Sequence, residues 1–332
     1  MNVVVIGLGY WGPNLVRNFL STPQVKKVYG FDKEKNRHTI IKSRYPSVEI
    51  IEDMEAVFKN KDIDAIAIAT PVATHYPLCK KALECGKHVL LEKPMTSSVR
   101  HAEELISIAE KNGLVLMVDH TFLYTGAVRK IKEIIESGDI GDIYYFDSVR
   151  VNLGLFQHDV NVVWDLAAHD VSIMKYIIKS KVKAVLASGI AHYNNIEDIA
   201  YITIFLDDGL IAHFHVNWLA PTKVRKILIG GTKKMIVYDD TEPSEKVKVY
   251  DKGIIATNQE GVHRMLISYR TGDMYAPKLD DTEALTLVCK DFVESIINHK
   301  NPISDCYLGL DVVKILEASE FSIKNDSIKV RF

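Results

Sequence analysis

An α/β chain in two parts is the fold class this sequence predicts: a helix-covered parallel sheet, followed by an α/β domain with an open, mostly antiparallel sheet. Three observations carry that expectation. First, short apolar runs at residues 3–6, 28–31, 65–69, 89–91 and 114–118 alternate with amphipathic stretches such as 15–20, 76–84 and 102–110. Runs that are continuously apolar belong to strands buried on both faces, the pattern of a parallel sheet between helices. Second, the runs lengthen after a helical stretch at 125–136, to 143–153, 182–191, 199–206, 210–219, 225–230 and 235–238. Third, Asp207-Asp208-Gly209 separates two of these later runs as a hairpin signal, and strands joined by turns make a mostly antiparallel sheet. A helix is expected at 161–178 and two more at 282–298 and 308–323. The domains divide at residues 1–121 and 122–332, with the last helix free to pack back on the first domain.

Composition narrows the function classes. A chain of 332 residues exceeds what one simple core usually organises. The net charge of −2, without blocks of like charge, argues against nucleic acid or an anionic membrane as the main partner. Cys79, Cys85, Cys289 and Cys306 have neither Cys-x-x-Cys nor zinc-finger spacing, so they read as reduced thiols of a cytoplasmic protein. The apolar opening at 3–6 is too short for a secretory signal. No run approaches the roughly 20 apolar residues of a membrane helix.

The first apolar run leads directly into Gly7-Leu8-Gly9-Tyr10-Trp11-Gly12. The motif follows a strand, precedes a helix, and has Asp32 placed 20 residues beyond its last glycine. Together these mark a dinucleotide site. Gly7 permits the tight turn, Gly9 the approach of a pyrophosphate, and Gly12 close packing of helix on strand. The pyrophosphate would rest on free amides at the helix start. Asp32 would bind the adenosine ribose and repel a 2′-phosphate, which favours NAD, while Lys33 and Arg37 keep NADP open. Tyr10 and Trp11 in the loop, with Thr70, Pro71 and His75 after the fourth strand, are expected to line the same cofactor.

Glu92-Lys93-Pro94 interrupts the chain where a buried strand should end. In a parallel sheet, ligands gather beyond the carboxyl ends of the strands. Proline fixes its own φ and pushes Lys93 towards extended backbone. Glu92 and Lys93 are therefore expected beside the nicotinamide. In the second part, Asp165 and His169 lie four apart and share one face of a helix. Oxidising a secondary alcohol needs a hydride acceptor and a proton acceptor at one carbon. The proton acceptor is either His169, with Asp165 orienting it, or Lys93. His213 and His215 share a strand face with Asn217, but no third ligand is evident, so no metal is expected.

With the glycine loop, Ala69-Thr70-Pro71, Glu92-Lys93-Pro94 and Asp165-x-x-x-His169 in this order, the whole chain resembles the glucose–fructose oxidoreductase/inositol dehydrogenase (Gfo/Idh/MocA) family. The resemblance implies an N-terminal Rossmann domain, an open sheet covered by dimerisation or tetramerisation, and a cis Lys93–Pro94 peptide. It also implies that Lys93, Asp165 and His169 line a substrate hydroxyl. Residues 9–14, 164–170 and 302–305 resemble the nucleotide-sugar branch, which implies oxidation at C3 of UDP-N-acetylglucosamine or a related UDP-sugar. A free sugar or inositol is the alternative substrate, and a non-catalytic NAD-binding regulator the alternative class. Arg150, Asn152, Tyr124 and Arg129 are candidate substrate contacts.

Overall fold

The computed structural model describes residues 1–154, 160–193, 195–251, 253–256, 267–270 and 272–332. It divides into two compact units, one of residues 1–125 with 282–317 and the other of residues 126–281 with 318–332.

The first unit alternates strand and helix: β1 (Asn2–Ile6), α1 (Gly12–Leu20), β2 (Lys27–Phe31), α2 (Lys35–Arg44), β3 (Glu49–Ile50), α3 (Met54–Lys59), β4 (Ala65–Ile68), α4 (His75–Glu84), β5 (His88–Glu92), α5 (Val99–Lys111) and β6 (Leu116–Asp119). The strands form one parallel sheet in the order β3-β2-β1-β4-β5-β6. This is a Rossmann sheet, and its order reverses between β1 and β4, where such folds bind their ligand. Burial on both faces explains the continuous apolar runs, since Val3, Val4 and Val5 are fully enclosed, as are Ile66, Ala67 and Ile68. The α1 helix turns Leu15, Val16 and Phe19 inward, and Phe19 meets Phe292 edge-on at 6.3 Å.

Two elements escape a reading by pattern. The β3 strand has only two residues at the sheet edge, and α2 buries only Ile41. Neither carries enough apolar surface to show a period.

The second unit opens with α6 (Gly126–Glu136), and its core is a nine-stranded sheet. The strands are β7 (Ile143–Leu153), β8 (Val182–Ile190), β9 (Ile199–Leu206), β10 (Ile211–Asn217), β11 (Leu219–Gly231), β12 (Met235–Asp239), β13 (Val247–Tyr250), β16 (Met274–Tyr275) and β17 (Val330–Arg331). Their order is β16-β13-β12-β11-β7-β10-β9-β8-β17, with β14 (Gly253–Ala256) and β15 (Ile267–Arg270) as a separate hairpin. Only β7 and β10 run parallel among the sheet's pairs, so it is mixed and mostly antiparallel. The expected hairpin joins β9 to β10, with Gly209 at φ +87°.

Alternation sorts the faces of this sheet. Ala212, Phe214 and Val216 are buried, while on the opposite face the Tyr201 ring stacks on His215 at 4.5 Å and on His213 at 6.3 Å. Among the described residues no group of three His, Cys, Asp or Glu side chains could hold a metal ion. The buried face carries α7 (Ala168–Ile177), whose Asp170 is clamped by β7. Arg150 donates from Nη2 at 2.6 Å and from Nε at 3.0 Å, and Ser148 Oγ donates at 2.7 Å. The closing helices are α8 (Ala284–Asn298) and α9 (Cys306–Lys324). No helix among the described residues is long and apolar enough to cross a membrane.

Candidate active site

In the first unit the glycine loop is shaped by contacts that only hydrogen side chains allow. Gly7 has φ +92°, and a Cβ there would fall 2.6 Å from the Ala69 carbonyl oxygen. A Cβ on Gly12 would lie 1.9 Å from the Gly7 carbonyl oxygen, which seals the turn against the start of α1. At Gly9 the only neighbour of such a Cβ would be the Arg37 guanidinium, at 3.2 Å, so this part of the loop stays open to an incoming group. Tyr10 beside it is 93% exposed.

Asp32 ends β2 at the edge of this loop. Its carboxylate accepts from the Leu8 amide at 2.7 Å, the Glu34 amide at 2.9 Å and Arg37 Nη1 at 2.9 Å. Burial pushes the group up, but these two amides and the guanidinium outweigh it and hold Asp32 below the ordinary carboxylate range. The open loop at Gly9 and the ionised Asp32 suit a dinucleotide, which these residues would hold. When bound, that cofactor supplies a nicotinamide that exchanges hydride with a substrate carbon.

The Glu-Lys-Pro turn lies two strands away, at the carboxyl ends of β5 and β6. The Lys93–Pro94 peptide is cis, as the resemblance implied. Thr70 and Pro71 follow β4, where Thr74 Oγ1 donates to Thr70 Oγ1 at 2.7 Å. His75 is fully buried, with Nδ1 2.9 Å from the Pro94 carbonyl and Nε2 2.9 Å from the Thr70 carbonyl. The imidazole thereby braces the cis turn against the end of β4.

Strand register pairs Glu92 directly with Asp119. The Glu92 carboxyl accepts from the Lys93 amide at 2.8 Å. Asp119 also accepts from Trp11 Nε1 at 3.1 Å and from Thr121 Oγ1 at 2.7 Å. Burial, then the Asp119 carboxylate, push Glu92 well above its ordinary range. Burial likewise raises Asp119, partly offset by the hydrogen bonds from Thr121 and Trp11.

His120 follows, 1% exposed, and neither ring nitrogen has a hydrogen-bond partner among the described residues. Burial, then the charge of Lys93, press it down to about 3. The folded protein therefore holds this imidazole neutral where the unfolded chain, near 6.5, binds a proton. Above the unfolded value the residue has no pH effect, and stability falls as pH drops from about 6.5 towards 3. His120→Asn is expected to reduce that acid sensitivity by about one proton per unfolding event. Urea unfolding at several pH values checks this, and parallel slopes in the two proteins would contradict it.

Asp119 and His120 were legible as strand-end residues by the same rule that singled out Lys93. The apolar run masked them, because it stops at Val118 while the strand continues to Asp119.

In the second unit Asp165 lies in a π-helical turn, Val163–Ala167, continuous with α7. Asn161 caps the start, its Oδ1 accepting from the amides of Val163 at 3.1 Å and Trp164 at 3.2 Å. From Asn161 to Met174 every residue is buried except Asp165 and His169, which keep partial exposure. Such wide turns recur at functional sites. Trp218 Nε1 donates to Asp165 Oδ2 at 3.1 Å and fixes the carboxylate from the end of β10.

Three of the candidate substrate contacts have other tasks. Arg150 is 2% exposed and belongs to the Asp170 clamp. Tyr124 is buried and donates to Asp291 Oδ2 at 2.8 Å. Arg129 pairs with Asp280. Asn152 stays partly exposed on β7.

A glycine cradle at a sheet reversal, with an acid at the next strand end, is the dinucleotide-binding arrangement of a Rossmann fold. Family models agree: residues 1–120 match the oxidoreductase family with an NAD-binding Rossmann fold, and residues 128–237 match the GFO/IDH/MocA C-terminal domain. The chain belongs to the Gfo/Idh/MocA family of NAD(P)-dependent oxidoreductases acting on CH–OH groups. It is 24% identical over 319 residues to UDP-N-acetylglucosamine 3-dehydrogenase of Acidithiobacillus ferrooxidans, covering 94% of each chain. The solved structure of that enzyme superposes with a TM-score of 0.83 at 21% identity, covering 98% of both chains. The NADP-dependent scyllo-inositol 2-dehydrogenase IolW of Bacillus subtilis is 25% identical, over 70% of this chain and 63% of its own. GenD2 of gentamicin A biosynthesis, solved with NAD, has a TM-score of 0.83 at 21% identity and covers 100% of this chain and 96% of its own.

Proposed function

We propose that the chain uses NAD to oxidise a ring hydroxyl of a sugar nucleotide, at C3 of UDP-N-acetylglucosamine or a related UDP-sugar. The observation that carries this reading is the selective exposure of Asp165 and His169 in an otherwise buried turn. Lys93, next after β5, is the candidate proton acceptor of the first unit. Lys93 or His169 would accept the hydroxyl proton, and Asp165 would stabilise the imidazolium where His169 is the acceptor, while bound NAD would supply the hydride acceptor. Similarity to the UDP-N-acetylglucosamine enzyme over nearly the whole chain supports the substrate class. Incubation with NAD and either UDP-N-acetylglucosamine or myo-inositol, followed by product analysis, tests it. Absence of turnover with every sugar nucleotide would sink the proposal.

A free cyclitol is the second reading, favoured by the likeness to the scyllo-inositol enzyme. Preferential oxidation of inositol would establish it.

Asp32 supports NAD over NADP, because its ionised carboxylate would meet a 2′-phosphate. Asp32→Asn is expected to weaken NAD binding about ten- to hundredfold, the worth of a charge-assisted hydrogen bond. It also releases Arg37 to pair with a 2′-phosphate. Fluorescence titration with NADH and NADPH checks both effects, and an unchanged preference would contradict the assignment.

Assembly as a homodimer or homotetramer through the open sheet face completes the proposal, since Tyr201 and Ile211 there are 45% and 46% exposed. Light scattering that finds only monomer counts against it.

A further inference from the structure

We propose that His192 is a substrate-binding residue, an imidazole held by Asp198 so that its Nε2 accepts a hydrogen bond from a sugar hydroxyl. The inference rests on the reading of Asp165 and His169 as substrate residues of the second unit, and its test reports on His192 directly.

The residue stands in the connection from β8 to β9. Strands β9 and β10 are antiparallel, with Ile199 opposite Asn217, so the end of this connection meets Trp218. The Trp218 amide donates to the Asp198 carbonyl at 2.9 Å, while its indole Nε1 donates to Asp165 Oδ2 at 3.1 Å. Glu197 fastens the start of the Asp165 turn. Its carbonyl accepts from the Val162 amide at 3.0 Å, and its Oε2 accepts from Asn161 Nδ2 at 2.9 Å. One network of hydrogen bonds therefore joins the connection to the turn that carries Asp165.

Asp198 is fully buried. Its Oδ2 accepts from the amides of His192 at 2.8 Å and Tyr193 at 3.3 Å, and its Oδ1 lies 2.8 Å from His192 Nδ1. A carboxylate only accepts, so Nδ1 carries a proton, and the ring cannot turn over without losing this bond. In the neutral ring Nε2 is then the bare acceptor. The imidazole is 44% exposed, and its Nε2 makes no hydrogen bond to a described residue.

The buried Oδ1 needs a donor, and many side chains could serve. The imidazole does so and also presents a second polar atom at a fixed position outside. Fixing it beforehand reduces the entropy lost when a ligand binds. Hydroxyls are the donors that a sugar nucleotide offers most, in the ribose and in the pyranose alike.

The first test follows the His192 ring by NMR in the full chain, with carbon-13-labelled histidine rings and NADH bound. His192→Asn identifies the signal. UDP-N-acetylglucosamine, uridine and myo-inositol are titrated separately, and a saturable shift with at least one of them is expected. A shift with uridine but not myo-inositol would set the ribose against Nε2, and the converse would set the cyclic polyol there. No shift with any of the three would overturn the proposal.

The second test is affinity by calorimetry for the probe that shifts the signal. Asparagine at this position keeps an amide N–H near the place of Nδ1 and removes Nε2. His192→Asn should weaken binding about two- to tenfold, the worth of a neutral hydrogen bond, with thermal midpoint and NADH affinity unchanged. Wild-type affinity for the probe in this variant would overturn the proposal, because a residue that only closes the loop predicts that result. Binding through His192 without oxidation of any probe would refute the catalytic reading and leave the binding site standing.

Discussion

Lys93→Met is expected to lower kcat/KM for hydroxyl oxidation by about 10²–10⁴-fold, the usual worth of a positioned proton-transfer group. That is about 2.7–5.5 kcal/mol of transition-state stabilisation. NADH affinity should change far less, because the glycine loop and Asp32 do not use the ammonium group. His169→Ala, measured beside it, separates the two candidate bases. The residue whose removal abolishes the acid limb of the kcat/KM profile is the proton acceptor, since a base must be unprotonated to work. The other, if it only hydrogen-bonds the substrate, should lower the profile without changing its shape. Oxidation at the wild-type rate in both variants would contradict the catalytic assignment.

Arg150→Met should cost about 3–5 kcal/mol of stability, the range for stranding one member of a buried ion pair. Asp170 would keep only Ser148 among the three β7 contacts described above, in a site where both side chains of the pair are 3% exposed. Thermal denaturation should show a fall on the order of 10 °C. The double variant Arg150→Met/Asp170→Leu should recover most of the loss, because both charges leave together. A single variant within about 1 kcal/mol of wild type would show that the pair does not hold α7 to β7.

How much of the site could be read in advance depended on how local its chemistry is. Gly7, Gly9, Gly12 and Asp32 form a motif because a turn, a close approach and a ribose contact each restrict one nearby position. The Glu-Lys-Pro turn was visible because charge interrupts an apolar strand. Asp165 and His169 could be paired by spacing, although the turn that carries them is π-helical at its start. Arg150 illustrates the opposite limit. An arginine on a predicted strand looks available to a substrate, and only the packing of α7 on β7 shows that Asp170 holds it. The short β3 and the polar α2 left no period to detect, because tertiary contacts rather than apolar patterning hold them.

The sequence alone determined the parallel sheet, the later antiparallel strands and the dinucleotide loop. These follow from short-range rules: burial on two faces makes a run continuous, and steric limits on φ make glycine necessary at Gly7. Tertiary structure decided what stands around Lys93. Asp119 is 27 residues from Glu92 along the chain, and parallel register alone makes them neighbours. Burial and the nearby Asp119 carboxylate then hold Glu92 well above its ordinary range, because a low-dielectric setting disfavours charge. Proximity between strands and the loss of solvent arise only when the chain folds, so no local pattern records them.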